Sequence, residues 1–419
     1  MHPPRDLTTP RAAMQPRDLT TPRAAMHPPR DLTPRAAMHP PRDLQAFARD
    51  LADLRAALAA DIGPADLAHL RRVDLLTRLC AALGWATAWI APNPLSIVLI
   101  AHASTVRWTV LMHHVSHRAY DNIPGVPARY HSRSFAAGPR RLIDWLDWIH
   151  PAAWRWEHNA LHHPRTGEPG DPDLVQHNTA ALRTADLHPI LKILAVAGFA
   201  CTWKLFYYAS NTFQLHLRHQ RRRPGQPEPP PVDIRYAAAF DPRTHDGRAF
   251  WRHCILPHAA VRFVLLPLLF APLGLWASLS ILINSILAEL LTNIQTFVLI
   301  TPNHAGDDLP TFPDRPASRA EFQWRQIAGT VNYTIRGDLT AYLHGWVNYH
   351  IEHHLWPDLP IRKYMQAHAP LRALCRKHGV PYRQASVLRR ARMAANIMTG
   401  AATMHPHADP PASTTATAA

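Results

Sequence analysis

The apolar residues of this chain gather into five stretches, at about 75–91, 95–112, 189–209, 257–273 and 276–301, with polar connectors between them. A helix that crosses a bilayer needs about 20 consecutive, mainly apolar residues. The last two stretches meet that requirement, because Arg262 and Glu289 are the only charged residues across them. The first two are weaker: Arg78 lies near the start of one, and the other contains His102 and Arg107. The connectors at 92–96 and 271–278 are short and uncharged, as expected of tight turns on the outer side. The flanks hold Arg71, Arg72, Arg118, Arg129, Arg140, Arg141, Arg218, Arg221, Arg222 and Arg223, which places them on the cytoplasmic side by the positive-inside rule. The pattern predicts an all-α integral membrane protein with two transmembrane helical hairpins, four spans in all, and a cytoplasmic helical cap.

Composition agrees with that division. Apolar residues make up 47% of the chain, yet the mean hydropathy is −0.19, so they must be concentrated in segments. The net charge of +15 is carried by arginines lying between apolar stretches and not in a basic patch interleaved with aromatics. That favours a membrane surface and argues against nucleic acid. Cys80, Cys201, Cys254 and Cys375 show no CxxC spacing, which excludes a disulfide framework or zinc ribbon and suits a reducing compartment. Residues 1–48 repeat "MHPPRDLTTPRAA" with little variation and no apolar face, so they are expected to be disordered, with a repeat expansion upstream of a start near Met38 as the further reading and no signal peptide expected. The tail at 396–419 is expected to be disordered too, leaving 49–395 as one membrane-embedded domain.

Three histidine clusters punctuate that domain. "HHVSH" supplies His113 and His117, "EHNALHHP" supplies His158, His162 and His163, and "NYHIEHHLWP" supplies His350, His353 and His354. Positions i, i+3 and i+4 share a helix face, so the rings of the last cluster are expected to converge on one point. Neutral imidazole is the commonest metal ligand, and eight of them suit two metals. The isolated His69, His216, His219 and His378 are read as ordinary surface histidines. Clusters that share a metal site must lie on one side of the membrane. The stretch at 189–209 therefore cannot cross, and is expected to lie in the interface or to pack against the cap, with Lys192 and Lys204 kept wet. The run "WLDWIHPAAWRW" at 145–156 is read as an interfacial helix carrying the second cluster, with core aromatics as the alternative.

From about residue 70 to 390 the order is hairpin, HxxxH, HxxxHH, hairpin, then HxxHH followed by Leu-Trp-Pro. This arrangement resembles the membrane fatty acid desaturase and hydroxylase superfamily, as do the flanks "EHNALHHPRTGEPGDPDL" and "GVPYRQAS". The resemblance implies two iron ions held by eight or nine histidines, O2 as co-substrate, and desaturation of a long acyl chain on a carrier protein, coenzyme A or a membrane lipid. Hydroxylation on the same scaffold is the alternative. His350 stands where many front-end desaturases have Gln, a variation that does not decide between product types. The resemblance also implies His304, beside Asn303 and after the last span, as a ninth ligand; otherwise it is a helix-terminal histidine favoured by the C-terminal dipole. His102 lies too deep in its span to join them. Breaking an aliphatic C–H bond needs a redox-active metal, which iron with imidazole ligands provides and zinc does not.

Glu157, Asp171, Asp173 and Glu352 are candidates to orient ligand imidazoles, with helix capping or solvated charge as the alternative. Glu289 and Asn293 share a face inside a span, along with the nearby Gln295. They are candidates to approach the metal or substrate, or else to form interhelical hydrogen bonds. A haem-binding HPGG and a GxGxxG loop are both missing, so electrons are expected from an external ferredoxin- or cytochrome-type donor. "HLRHQRRRPG" at 216–225 is a candidate docking site for it, or serves topology alone. A membrane zinc protease is disfavoured because HExxH is missing, and a metal transporter because the clusters follow the spans at helical spacing. The expected location is a bacterial-type inner membrane with the histidine boxes cytoplasmic.

Overall fold

The computed structural model describes residues 39–222 and 236–407. The folded unit begins before residue 49, with helix α1 (Leu44–Ala60), whose first turn is capped by Asp43 accepting from the Ala46 amide at 2.8 Å. Phe47, Leu51 and Leu58 bury one face of it, which is why the boundary moves toward the N-terminus. The repeats before residue 39 and the tail after 407 lie outside the described residues.

Helix α2 (Pro64–Ala88) and helix α3 (Pro94–Ser116) form the first hairpin. Asn93 starts α3 by accepting from the Ser96 amide at 2.8 Å. Asn284, from a later helix, donates to the carbonyls of Ala88 and Ala91 at 2.8 and 3.0 Å, and so ties the turn down. The two helices approach closely at Gly84, where an added Cβ would stand 2.8 Å from Ile100 Cγ1. Gly84→Val is therefore expected to push the hairpin apart and destabilise the protein by about 1–3 kcal/mol. Thermal unfolding in detergent would measure this, and an unchanged midpoint would show that the contact carries no weight.

Among the described residues, three helices are long and apolar enough to cross a membrane: α3, α7 (His245–Leu273) and α8 (Leu275–His304). The expected first span, at about 75–91, falls within α2, which is not among these three. Asp66, Arg71, Arg72, Asp74 and Arg78 make it more polar, although Leu75, Leu76, Leu79 and Leu83 form an exposed stripe along it. Helix α4 (Pro151–Glu157) opens the second histidine region.

The 189–209 stretch is interrupted. Helices α5 (Pro189–Ala200) and α6 (Lys204–Arg221) meet at a bend of 72°, and α5 alone is roughly 18 Å long at 1.5 Å per residue, too short to span. Asn293 on α8 fastens the bend, accepting from the Lys204 amide at 2.9 Å, while Trp203 donates to the Asn293 carbonyl at 2.9 Å. Contrary to the expectation of a wet lysine, Lys204 is only 1% exposed. Its ammonium lies 2.8 Å from Asp147 and 3.3 Å from Glu289, and these carboxylates replace water as its partners. The tryptophan run also differs from an interfacial helix. Trp145, Trp148 and Trp154 are buried in the core, and regular helix begins only at Pro151.

The polar end of the molecule is closed by α9 (Arg319–Ala328), α10 (His350–Leu355), α11 (Ile361–Lys377) and α12 (Val387–Thr399). Two short parallel strand pairs, Asn332–Tyr333 with Gln384–Ala385 and Pro310–Thr311 with His405–Pro406, hold the C-terminal segment in place. Ile397, Met398 and Met404 are buried there, so the folded unit also extends past residue 395.

Candidate metal centre

All nine histidines singled out by sequence come together. The ring nitrogens of His113, His117, His158, His163 and His353 lie within 4.8 Å of one another, and those of His162, His304 and His354 form a second group under the same limit. His350 belongs beside the second group, its Nε2 standing 2.7 Å from His304 Nε2. The partition is therefore five nitrogens and four. His350, His353 and His354 do not converge on one point as expected. His353 faces the first group and the other two face the second, because α10 lies between the groups and presents adjacent residues to different sides.

Local winding explains the second cluster. Residues His158–His162 form a π-helical turn, whose i→i+5 bonding brings residue i+5 under residue i. His158 thus pairs with His163, their Nε2 atoms 3.1 Å apart, while His162 swings to the other group. A second π turn, Arg107–Met112, immediately precedes His113. Helix α3 and helix α8 deliver His113 and His304 from their ends, both remote from the turns at Asn93 and Gly274.

The spacing fits metal ligands. His158 to His113, His163 to His158 and His353 to His163 measure 3.2, 3.1 and 3.1 Å between Nε2 atoms. Nitrogens at right angles around one ion about 2.1 Å away would be about 3.0 Å apart. His117 Nε2 and His354 Nε2 are buried without any hydrogen-bond partner, as ligand atoms awaiting a cation would be. Burial keeps these rings neutral: His350 is pushed down to about 3, and His158, His163, His353 and His354 well below the usual imidazole range, each also lowered by its neighbours. Neutral rings have no proton to lose before binding a metal.

Several outer nitrogens are held by groups around the centre. His162 Nδ1 donates to Asp171 at 2.8 Å. Burial alone would lower His162, but the Asp171 carboxylate more than offsets it and leaves the ring raised. His354 Nδ1 lies 3.2 Å from Gln326 Oε1, and His353 Nδ1 3.4 Å from the Tyr364 hydroxyl. Tyr364 donates its own proton to the carbonyls of Trp356 and Pro357, both at 3.1 Å, so His353 must be the donor, which turns its Nε2 lone pair toward the centre. Asp171→Asn is expected to weaken metal binding at His162 by about 10–100-fold. Metal titration of the apo-protein checks this, and an unchanged affinity would remove Asp171 from that role.

The other candidates occupy different places. Glu157 is buried with neither oxygen hydrogen-bonded, and burial, with Asp173 and Asp171 nearby, raises its carboxyl well above the normal range. Asp173 is pushed up to about 6, chiefly by burial. Glu352 serves Asn332 at 2.8 Å, the Tyr382 hydroxyl and His368 at 3.3 Å, and none of these is a box histidine. Asn303 is buried with its Oδ1 unpartnered. Glu289 and Asn293 belong to the Lys204 network described above, where each makes a contact between helices. His102 packs on Tyr342 at 4.9 Å, apart from both groups. Gln326 and Tyr364 carry no local sequence signal. Trp154 does: it sits at i−4 from His158 and stacks on it at 4.2 Å.

Apolar helices compatible with a membrane protein, joined to a histidine cluster compatible with a metal site, define the class. Within it, the chain belongs to the fatty acid desaturase family, whose model matches residues 84–386. It is 27% identical over 252 residues to the Delta(8)-fatty-acid desaturase 1 of Arabidopsis thaliana, covering 58% of this chain and 50% of that protein. A Delta(8)-fatty-acid desaturase of Euglena gracilis matches at 44% over 62 residues, 15% of each chain. An NADPH-dependent stearoyl-CoA 9-desaturase of Mycobacterium tuberculosis matches at 28% over 112 residues, 26% of each. The matched part thus spans half or less of these curated relatives, all of them named as desaturases and hence oxidoreductases.

Proposed function

We propose that this chain is an O2-dependent acyl desaturase holding two irons, one on His113, His117, His158, His163 and His353, the other on His162, His304, His350 and His354. The observation that carries it is the partition of nine buried or nearly buried imidazoles into two groups at ligand spacing. When bound, iron supplies the activation of O2 and the oxidising power to remove hydrogen from an unactivated chain. The protein's own part is to keep the deeply lowered rings such as His158, His163, His350, His353 and His354 neutral, to aim His162 and His353 through Asp171 and Tyr364, and to exclude water with Trp154 and Trp356, both almost fully buried.

The substrate is a long acyl chain on coenzyme A, a carrier protein or a membrane lipid, a reading supported by the relatives named for fatty acids and stearoyl-CoA. The membrane is of the bacterial inner type, crossed four times with α2 as the fourth crossing and the histidines on the cytoplasmic side. A separate ferredoxin- or cytochrome-type protein supplies electrons. Its docking at 216–225 competes with an internal role for Arg221, which pairs with Asp246 at 2.9 Å, while Arg223 lies outside the described residues.

Iron per chain and lipid products of an expressing cell test the proposal together. Stoichiometric zinc without iron would overturn it, and a hydroxylated product would replace desaturation by hydroxylation. His304→Ala is expected to lose one iron and most turnover, whereas His102→Ala keeps both. If His304→Ala retains both irons and full turnover, the site has eight ligands.

A further inference from the structure

Away from the histidines, a cavity of 230 Å³ lies between α2, α3, α7, α8 and the 142–147 segment, and none of the nine box histidines lines it. Its charged walls are Arg107, Arg262, Asp147 and Glu289, with His258 beside them. The carboxylates are already satisfied. Asp147 and Glu289 share Lys204 at 2.8 and 3.3 Å, and Glu289 also accepts from Trp148 at 2.8 Å and lies 3.6 Å from His258.

The guanidinium side is not satisfied. Nε and Nη2 of Arg262 are buried without a hydrogen-bond partner, and the group rests on the face of Trp85 at 4.4 Å. Among the described residues, Arg107 donates only to the carbonyls of Ile143 and Asp144, at 3.1 and 2.6 Å. Among the described residues, neither arginine has a carboxylate within ion-pairing distance. Two guanidinia and one ammonium against two carboxylates leave at least one positive charge in excess, whatever the state of His258. A buried charge of this kind is costly unless an anion meets it.

The rim indicates how that anion arrives. Leu142, which lines the cavity, is 57% exposed, and Ile143, whose carbonyl holds Arg107, is 70% exposed. Such a rim meets acyl chains, not bulk water. Ser104 and Arg107 precede His113 on α3, and Arg107 lies roughly 9 Å from it along the axis at 1.5 Å per residue, so the cavity sits on the membrane side of the metal centre. We propose that this cavity binds the phosphate of an anionic phospholipid, with the Arg262 fork as principal donor and Arg107 as the second cation. A zwitterionic head group is the poorer fit, because its cation would face carboxylates already paired with Lys204. The inference rests on the membrane placement of α7 and α8 and is independent of the oxygen chemistry.

Native mass spectrometry of the detergent-solubilised full chain, offered equimolar phosphatidylglycerol and phosphatidylcholine, tests it directly. Wild type is expected to retain phosphatidylglycerol by about tenfold over phosphatidylcholine, and Arg262→Gln to lose that preference. Arg262→Lys, which keeps the charge but not the fork, should keep part of it, and it decides the matter with wild type if Arg262→Gln fails to fold. Iron content, read in parallel, should stay at the wild-type level, so failure of lipid selection and failure of the metal assignment are separately visible. Equal retention of both lipids by wild type would overturn the proposal, as would undiminished selectivity in Arg262→Gln. A thermal shift with inorganic phosphate equal to that with phosphatidylglycerol would reject the lipid as the source.

Discussion

Replacing His353 by alanine is expected to remove one iron per chain and to lower turnover by at least about 100-fold, the upper end of what loss of an outer-shell partner alone costs. His353 joins two helical regions: its Nε2 lies 2.8 Å from that of His113 and 3.1 Å from that of His163. Without it, α10 contributes no ligand to the five-nitrogen group. The neighbouring His354 cannot substitute, because it stacks on His163 while facing His304. Metal analysis with product quantification measures the effect. Two irons retained with normal turnover would mean that His353 is not a ligand.

The largest effect on stability is expected at Lys204. Lys204→Met keeps the length of the side chain but leaves Asp147 and Glu289 facing each other without the cation that both contact. Removing one member of a buried ionic network costs about 3–5 kcal/mol, here because both carboxylates lose the cation that contacts them while Arg107 and Arg262 stand beyond ion-pairing distance. Denaturation in detergent would register the loss. Adding Glu289→Gln to Lys204→Met should recover part of it by removing one of the stranded charges. An unchanged midpoint for Lys204→Met would show that water reaches the site and screens it.

The histidine inventory was legible because ligand chemistry is local. Three short motifs with helical spacing identify eight rings, and the resemblance they carry adds His304. Asp171 and Asp173 were legible as carboxylates near a box, and Asp171 reaches His162. Glu352 looked equally suitable yet turns to Tyr382 and His368, since its direction depends on how α10 is rotated against α11. Gln326 and Tyr364 were invisible for the same reason: they reach the centre only because α9 and α11 are folded over it.

By itself, the sequence determined the apolar blocks, the hairpin turns and the set of histidines that cluster, all properties of residue type and short-range spacing. Tertiary structure alone decided that the nine rings divide five and four, that a π turn sets His158 on His163 instead of His162, and that Lys204 is buried while Arg262 is left without an acceptor. The first kind of property is written in intervals of three or four residues. The second depends on which helix faces confront one another, and that is set by packing and electrostatic pairing between segments far apart in the chain.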